Sequence, residues 1–244
     1  MGILKGVGQY ITPVVVLTPP QANVESMLPE GIQLLSQTIS PAGTHPVLFM
    51  YGHQIDVHPE PIPIFRLNYL EFAVSIPYVS LTKSTSQVPH MIQPRIYLNK
   101  WFPLILGYFY GLAKHKATIG ADTNNYIVDT PKDNELLVSG QFQLLGEPQP
   151  PTAYPNFEQY MVDLLQQPVI GTSIPGLDIC SSFTWEFDKA TIQPLDAQVE
   201  ITNQLTSVLP GLEPGTYNFA GIDTEPLGAF LMNTPWSFSL PTLC

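Results

Sequence analysis

Charged side chains are scarce in this sequence. They make up 12% of its 244 residues, against about 25% in a typical domain, and only nine are Lys or Arg, so that the net charge is −11. A nucleic-acid-binding protein neutralises phosphates with clustered basic residues, and no such cluster is present. The same shortage disfavours anionic membrane surfaces. We therefore predict no nucleic-acid and no membrane partner, while a surface with so few charges favours a homo-oligomer.

Cysteine is almost absent as well. Cys180 and Cys244 are the only two, which is too few for a disulfide framework, so we predict two free thiols in a reducing compartment. The short apolar run Ile11–Leu17 has no signal-peptide cleavage site after it. The longest apolar run, Trp101–Ala113, is too short to cross a bilayer. These features predict a cytoplasmic protein.

Motifs for nucleotide cofactors are missing, because no phosphate-cradling glycine loop, no Gly-x-Ser-x-Gly elbow and no Cys-x-x-Cys occurs. We therefore expect no cofactor. The 26 prolines favour short strands and turns over long helices. Runs of β-branched and aromatic residues bounded by turn residues predict eight strands: Ile11–Leu17, Val47–Ile55, Leu67–Val79, Pro94–Leu98, Leu104–Tyr110, Leu136–Leu145, Ser182–Asp188 and Ala197–Asn203.

Two short helices are predicted in this strand-rich pattern. One follows Thr18, with two prolines in its first turn, and stops before Pro29. The other begins near Asn156 with apolar residues at helical spacing and ends before Pro168. No repeat or linker divides the chain. The pattern predicts one mainly β domain, residues 1–244, built on a closed or sandwiched sheet with a few short helices.

Lysine is rare, with seven in the chain, yet two of them flank a histidine in the segment Tyr110–Ala117, directly after the apolar run. A lysine beside buried surface loses solvation of its charged form, so its pKa falls. A neutral amine can attack a carbonyl carbon and form a Schiff base. The alternative is that Lys114 and Lys116 lie at the end of a strand and face water.

Glu71 lies within an apolar strand, where a carboxylate is costly without a partner. One interpretation makes it an acid/base group or a partner of Lys114. The other makes it a structural ion pair with Arg66 or Arg95, the only two arginines.

Several segments resemble the acetoacetate decarboxylase-like superfamily, in the family's order over about residues 10–117. Tyr110–His115 resembles the family segment that holds the Schiff-base lysine, and Ile96–Asn99 resembles the strand before it. Tyr69–Glu71 resembles the strand that carries an active-site glutamate, and Leu28–Ile32 resembles the turn after the first helix. The resemblance implies an antiparallel β cone or barrel with a few short helices, a lysine Schiff base and a homo-oligomer.

Departures from the family pattern identify a divergent member. Ala113 replaces the family's proline, His115 replaces its second lysine, and the stretch around Tyr10 lacks its arginine. An ungapped count from Tyr97 would place the lysine pair at His115 and Lys116, but matching on Tyr110 keeps a lysine, Lys114, at the Schiff-base position. The missing arginine weakens the case for decarboxylation and fits aldol or dehydration chemistry.

A second constellation consists of His53, Asp56, His58 and Glu60. Two histidines with carboxylates can bind zinc or iron. Their spacing matches no known ligand motif, so we predict no metal.

The leading hypothesis is a lyase that uses a lysine Schiff base on a small carbonyl substrate, by decarboxylation or by aldol and dehydration chemistry. Lys114 and Glu71 are the predicted catalytic residues. Tyr110, His115 and Tyr10 are the predicted substrate-binding residues. A non-catalytic β barrel that binds an apolar small molecule is the main alternative, and a metal-dependent enzyme using His53 and His58 is the weaker one.

Overall fold

The computed structural model describes residues 5–60, 66–84, 88–171 and 179–244. Within them the chain forms four short helices: α1 (Gln21–Glu25), α2 (Phe102–Phe109), α3 (Val162–Leu165) and α4 (Asn203–Thr206). It forms sixteen strands: β1 (Lys5–Leu17), β2 (Ile32–Leu34), β3 (Val47–Glu60), β4 (Leu67–Leu81), β5 (His90–Leu98), β6 (Lys114–Lys116), β7 (Thr118–Ala121), β8 (Asn125–Asp129), β9 (Leu136–Leu144), β10 (Val169–Ile170), β11 (Ile179–Ser181), β12 (Phe183–Trp185), β13 (Thr191–Ile201), β14 (Gly215–Phe219), β15 (Phe230–Phe238) and β16 (Thr242–Leu243).

The strands form one large curled sheet. Its order is β16-β11-β10-β5-β4-β3-β1-β15-β13-β9-β8-β7, with β12 beside β15, β14 beside β13, β2 beside β4 and β6 beside β5. Almost all neighbours are antiparallel, and the exceptions are β10 and β6, which both run parallel to β5. The predicted fold class, mainly β with a few short helices, is confirmed. No helix within the described residues is long and apolar enough to cross a membrane.

Both faces of this sheet are covered by apolar side chains. Because side chains alternate along a strand, Phe49 and Phe72 pack on one face together with residues of β8, β9 and β13. Leu48 and Ala73 pack on the other face with Phe157 and Leu164, which come from the segment around α3. The central strands β3 and β4 are therefore buried on both sides, and any polar side chain on them needs a partner within the protein.

Both predicted helices are present. α1 begins directly after Pro20, and the second helix is a π-helical turn, Phe157–Met161, that continues into α3. Most predicted strands are also present, although β1 and β3 are longer than expected, and Ser182–Asp188 contains only the three-residue strand β12 before a 3-10 turn at Phe187–Lys189.

The predicted strand Leu104–Tyr110 is wrong, because these residues form the helix α2. A short apolar run does not distinguish a buried strand from a buried helix by periodicity. The residues that indicate a helix lie at the two ends of the run. Pro103 is in the first turn, where proline is tolerated, and Gly111, just after the helix, has a φ of 81°. The Gly111 N–H bonds the Tyr108 carbonyl at 3.1 Å and the Leu112 N–H bonds the Gly107 carbonyl at 2.9 Å, which is a Schellman C-cap.

The prediction of two free thiols is also wrong, because Cys180 and Cys244 form a disulfide with their Cα atoms 5.1 Å apart. The reason is tertiary: β16 pairs with β11 through Ile179↔Leu243 and Cys180↔Thr242, which brings the last residue of the chain beside Cys180. Sequence spacing gives no sign of this pairing.

The disulfide predicts a redox-dependent stability. Its cysteines are 64 residues apart, and closing a loop of that size stabilises a protein by about 2–4 kcal/mol. We expect Cys244→Ser to lower the free energy of unfolding in urea by that amount. A reductant should lower it equally in the natural protein and leave the variant unchanged. Equal stability of the natural protein with and without reductant would contradict the prediction.

Candidate active site

Four strands bring polar side chains to one point on the sheet face that carries Ala73. Glu71 on β4 is two residues from Ala73 and so points to the same face. In the parallel pairing of β5 with β6, Lys114 is opposite Ile96, which packs on this face. Gln54 from β3 and Trp236 from β15 complete the group. Strand alternation and sheet register thus place these side chains together across a sequence separation of 182 residues.

The centre of the site is a buried ion pair. The Lys114 Nζ lies 2.8 Å from the Glu71 Oε2, and the two side chains are 8% and 9% exposed. Glu71 therefore pairs with the lysine rather than with an arginine. Arg66 instead donates to both carboxylate oxygens of Asp56, and Arg95 lies beside His115. The alternative of an ion pair with either arginine is wrong.

A relay of hydrogen bonds holds the carboxylate in place. The Trp236 indole N–H donates to the Gln54 Oε1 at 2.9 Å, and the Gln54 Nε2 donates to the Glu71 Oε1 at 3.3 Å. Because an indole N–H can only donate, it fixes the orientation of the Gln54 amide and turns its NH₂ toward Glu71. Each carboxylate oxygen of Glu71 therefore receives its own donor.

The backbone under Glu71 is held separately. The Tyr126 hydroxyl lies 2.9 Å from the Gly52 carbonyl and 3.1 Å from the Glu71 carbonyl, and these two residues are register partners on β3 and β4. Tyr126 is buried and comes from β8, on the opposite face of the sheet. Both faces of the sheet therefore help to position the carboxylate.

The pKa of Lys114 differs from the sequence expectation. Burial lowers it, but the Glu71 carboxylate and then Tyr69, whose ring centroid is 5.5 Å from Nζ, outweigh burial and raise the pKa above its ordinary value. The expected depressed pKa is wrong, because the sequence shows the apolar surroundings of the lysine but not the carboxylate in contact with it. Near neutral pH the Lys114 side chain is therefore a charged ammonium group paired with the Glu71 carboxylate.

The methylene groups of the Lys114 side chain pack against helix α2 at Gly107. A Cβ at Gly107 would lie 2.5 Å from the Lys114 Cδ and 2.7 Å from its Cε, so only glycine allows the methylenes to pass this close to the helix. The Schellman turn at Gly111 then reverses the chain into β6. The apolar run before the lysine is thus a helix that packs against the lysine stem and not a strand leading to it.

A cavity of about 210 Å³ opens beside the ion pair. Lys114, Glu71, Gln54 and Tyr69 contribute polar groups to its wall, and Tyr110 lines it from the end of α2. Most of the remaining wall is apolar: Val57, Leu67, Ile96, Leu112, Phe183 and Phe238. An amine and a carboxylate therefore face a largely apolar space, which is the usual construction of a small-molecule site.

Three of the five predicted site residues share this cavity. Lys114 and Glu71 are in contact, and Tyr110 lines the same space with its ring centroid 5.2 Å from that of Phe238. Tyr110 reaches the cavity from the C-cap of α2 and not from the end of the predicted strand Leu104–Tyr110.

Tyr10 lies beneath the site. It is 2% exposed, stacks on Trp185 with a centroid distance of 5.8 Å, and lines a separate space of about 20 Å³ that also borders Gln54 and Glu71. Burial, and then the Glu71 charge, raise the pKa of the Tyr10 phenol. Tyr10 therefore supports the floor of the site as a neutral side chain.

His115 points to the other face of the sheet, because it follows Lys114 on β6. It is opposite Tyr97 in the register and its Nε2 lies 3.4 Å from an Arg95 guanidinium nitrogen. It is not among the residues that line the described cavity, so the geometry gives no support to a substrate-binding role. Lys116 is exposed and donates to the Asn99 carbonyl, which leaves Lys114 as the lysine at the site.

The metal hypothesis finds no support among the described residues, where no group of three or more His, Cys, Asp or Glu could hold an ion. His53 is exposed, while His58 lines the cavity and donates from Nδ1 to the Asp56 carbonyl at 2.6 Å. The two histidines therefore do not converge.

Gln54 and Trp236 are the site residues that sequence reasoning missed. Gln54 is 3% exposed, and a glutamine inside an apolar strand is a signal of a buried polar partner. Nothing in the sequence near Trp236 links it to Gln54, because the contact depends on the pairing of β1 with both β3 and β15.

No family model and no curated protein matches this chain, but solved structures do. An enduracididine biosynthesis enzyme, MppR, complexed with pyruvate matches with a TM-score of 0.66 and 10% identity, over 100% of this chain and 91% of that one. An acetoacetate decarboxylase-like enzyme from Sphingomonas wittichii RW1 gives 0.62 and 13%, over 98% and 92%. Acetoacetate decarboxylase from Legionella pneumophila gives 0.61 and 11%, over 99% and 87%. The chain has the acetoacetate decarboxylase-like fold.

Proposed function

We propose that this protein is a lyase that forms a Schiff base between Lys114 and a carbonyl substrate, a keto acid, aldehyde or ketone, and uses the imine for decarboxylation or for aldol and dehydration chemistry. The observation that carries the proposal is the primary amine of Lys114 on the wall of a mostly apolar cavity, 2.8 Å from a buried carboxylate.

The contact between the two groups supplies what an attacking amine needs. A nucleophile and its base act as a unit when they lie within about 2.6–3.2 Å. Glu71 takes a proton from the Lys114 ammonium, and the neutral amine attacks the carbonyl carbon. The carbonyl oxygen takes up one proton from the attacking nitrogen and a second from the protonated Glu71, and it leaves as water. An iminium ion then remains beside the Glu71 carboxylate.

The surrounding residues favour this exchange over a purely structural ion pair. Gln54 donates to one oxygen of Glu71 and Lys114 to the other, so the carboxylate keeps its orientation when the lysine becomes an imine. The positive charge of the iminium then remains beside the carboxylate that previously paired with the ammonium.

The ligands bound to a protein of similar structure also support a carbonyl substrate. MppR is known in complex with pyruvate and with the condensation product of pyruvate and imidazole 4-carboxaldehyde. Because identity is 10%, this supports the class of reaction and not a particular substrate.

Imine trapping tests the proposal. We expect incubation with small ketones, aldehydes and keto acids, followed by cyanoborohydride, to add the mass of the reduced substrate to Lys114, located by peptide mapping. Lys116→Ala is the matched control and should keep the label, because Lys116 is exposed and outside the cavity. Labelling of Lys116, or of no lysine across the panel, would overturn the proposal.

A non-catalytic binding barrel is the second candidate. It is favoured by the raised pKa of Lys114 and by the apolar wall of the cavity, since a permanent ion pair could serve only to position a ligand. Saturable binding of an apolar ketone without any trapped imine would select this candidate.

A cytoplasmic location and a homo-oligomer stay predictions. The Cys180–Cys244 disulfide weighs against the predicted location, because disulfides persist mainly in oxidising compartments.

A further inference from the structure

We infer that the cavity takes an uncharged ketone or aldehyde with an apolar body, and not a keto acid. This inference rests on the proposed Schiff-base function and specifies its substrate class. It follows from where the cationic side chains of the chain lie, and from what already neutralises the one that faces the cavity.

Every lysine and arginine of the chain lies in the described residues, so their positions can be compared with the cavity. Neither arginine lines it. Arg66 is 59% exposed and pairs with Asp56 at 2.7 Å, and Arg95 is on the other sheet face beside His115. Lys5, which precedes the lining residue Gly6, pairs with Glu60 at 3.0 Å and does not line the cavity. Lys114 is therefore the one lysine or arginine on the cavity wall.

His58 is the other side chain on the wall that could become cationic. Its Nδ1 donates to the Asp56 carbonyl and lies 3.9 Å from the Asp56 carboxylate. The Asp56 carboxylate is already paired with Arg66 at 2.7 Å. An imidazole, unlike an ammonium or a guanidinium group, is not a permanent cation, so Lys114 is the one permanent positive charge on the cavity wall.

Glu71 makes a second carboxylate unfavourable. The single positive charge of Lys114 is matched by Glu71 at 2.8 Å, and after imine formation the iminium has the same one charge. A keto acid would place two carboxylates beside one cation in a desolvated site, where an unpaired carboxylate is costly. An uncharged carbonyl compound adds no charge and leaves the pair balanced.

The rest of the wall fits an apolar substituent. The Phe183 ring packs against Phe238 and Trp236, with centroid distances of 4.1 and 5.5 Å, and Val57 and Leu67 line the same cavity. Burying apolar area is favourable, so binding strength would come from this wall and orientation from the polar end.

An uncharged substrate also limits the reactions that the iminium ion can undergo. An uncharged ketone has no carboxylate to lose, so its iminium ion reacts by giving up a proton from the adjacent carbon. Glu71 accepts that proton, the C–H electron pair forms the enamine double bond, and the former C=N pair returns to the Lys114 nitrogen. The enamine carbon is the nucleophile for aldol addition to a second carbonyl compound, an aldehyde, whose oxygen takes up the proton that Glu71 accepted. Expulsion of the resulting β-hydroxyl as water, with loss of a further proton from the carbon between the two groups, is the corresponding dehydration.

A matched pair of ligands tests the inference. The methyl ester of 2-oxo-4-phenylbutanoate and the free acid share the apolar body but differ in charge and in the electrophilicity of the keto group. Each labelling rate is therefore divided by the rate measured for a free model amine, Nα-acetyl-lysine amide, under the same conditions. After this correction we expect the ester to label Lys114 in the presence of cyanoborohydride at least about tenfold faster than the acid at equal concentration, a difference of about 1.4 kcal/mol. Equal labelling, or faster labelling by the acid, would overturn the inference.

Calorimetric titration of both ligands without reductant separates this inference from the proposed function. Tighter binding of the ester with no label on Lys114 would contradict the Schiff-base function but support the preference for uncharged ligands. If neither ligand binds and no label forms, both the function and the preference are contradicted.

A gain-of-charge variant provides the sharpest control. Leu67 lines the cavity and is only partly buried, so Leu67→Arg can introduce the missing counter-charge. We expect it to raise the ratio of acid to ester labelling, while Leu67→Met leaves the ratio unchanged. An unchanged ratio in a folded Leu67→Arg protein would contradict the electrostatic explanation.

Discussion

Replacing Lys114 with arginine is expected to abolish imine trapping and any Schiff-base activity while the protein stays folded. Arginine keeps the positive charge beside Glu71, but its guanidinium does not lose its proton at accessible pH and cannot form an imine. The measurement is cyanoborohydride labelling and turnover of an uncharged ketone, with circular dichroism as the test of folding. Surviving activity in a folded Lys114→Arg protein would rule out the covalent mechanism.

The same position should have a large effect on stability when its charge is removed. Lys114→Met leaves the Glu71 carboxylate buried without a cation, which costs about 3–5 kcal/mol when one partner of a buried pair is lost. The double variant Lys114→Met with Glu71→Gln removes both charges and keeps a hydrogen-bonding side chain for Gln54. It should regain most of the stability and none of the labelling, which separates the fold from the chemistry.

Glu71→Gln is expected to move the pH dependence of labelling to lower pH and to reduce its plateau. In the natural protein the carboxylate raises the pKa of Lys114 against the opposing effect of burial. Without the carboxylate, burial is opposed mainly by Tyr69, the weaker of the two groups that raise the pKa of Lys114. The pKa therefore falls and the neutral amine forms at lower pH. The plateau should fall by about 10²-fold or more, because an acid/base group in contact with the reacting centre is lost.

Initial labelling rates across a pH series measure both effects. Glu158→Gln, at an exposed glutamate, is the control and should leave the profile unchanged. A Glu71→Gln profile with the natural midpoint would show that the carboxylate does not set the pKa of Lys114. An unchanged plateau would show that it takes no part in proton transfer.

The raised pKa of Lys114 also makes the stability of the protein depend on pH. Its contribution is fully present below the ordinary lysine pKa, about 10.4, and is lost as the pH rises through the higher pKa of the folded state. The natural protein should therefore lose stability relative to Glu71→Gln in the alkaline range, and thermal melting at increasing pH measures this difference.

Local patterns determined much of the architecture. Val47–Ile55 and Leu67–Val79 are long runs of β-branched and aromatic residues, and such runs form buried strands because their side chains pack well on a pleated surface. Proline on either side of a short apolar repeat marked the helix near Phe157. The scarcity of lysine and the glutamate inside an apolar strand drew attention to these residues, but it was the resemblance to the acetoacetate decarboxylase-like superfamily that selected Lys114 over Lys116 and paired it with Glu71.

Only the tertiary structure decided how these residues act. The run before Lys114 became a helix, because helix and buried strand share an apolar composition and differ in their contacts with the rest of the chain. The pKa of Lys114 rose and did not fall, because a carboxylate 43 positions away is brought to 2.8 Å by the register of β4, β5 and β6. Sequence shows which groups are scarce or out of place, but the electrostatics of a buried group depend on distances that only the paired strands set.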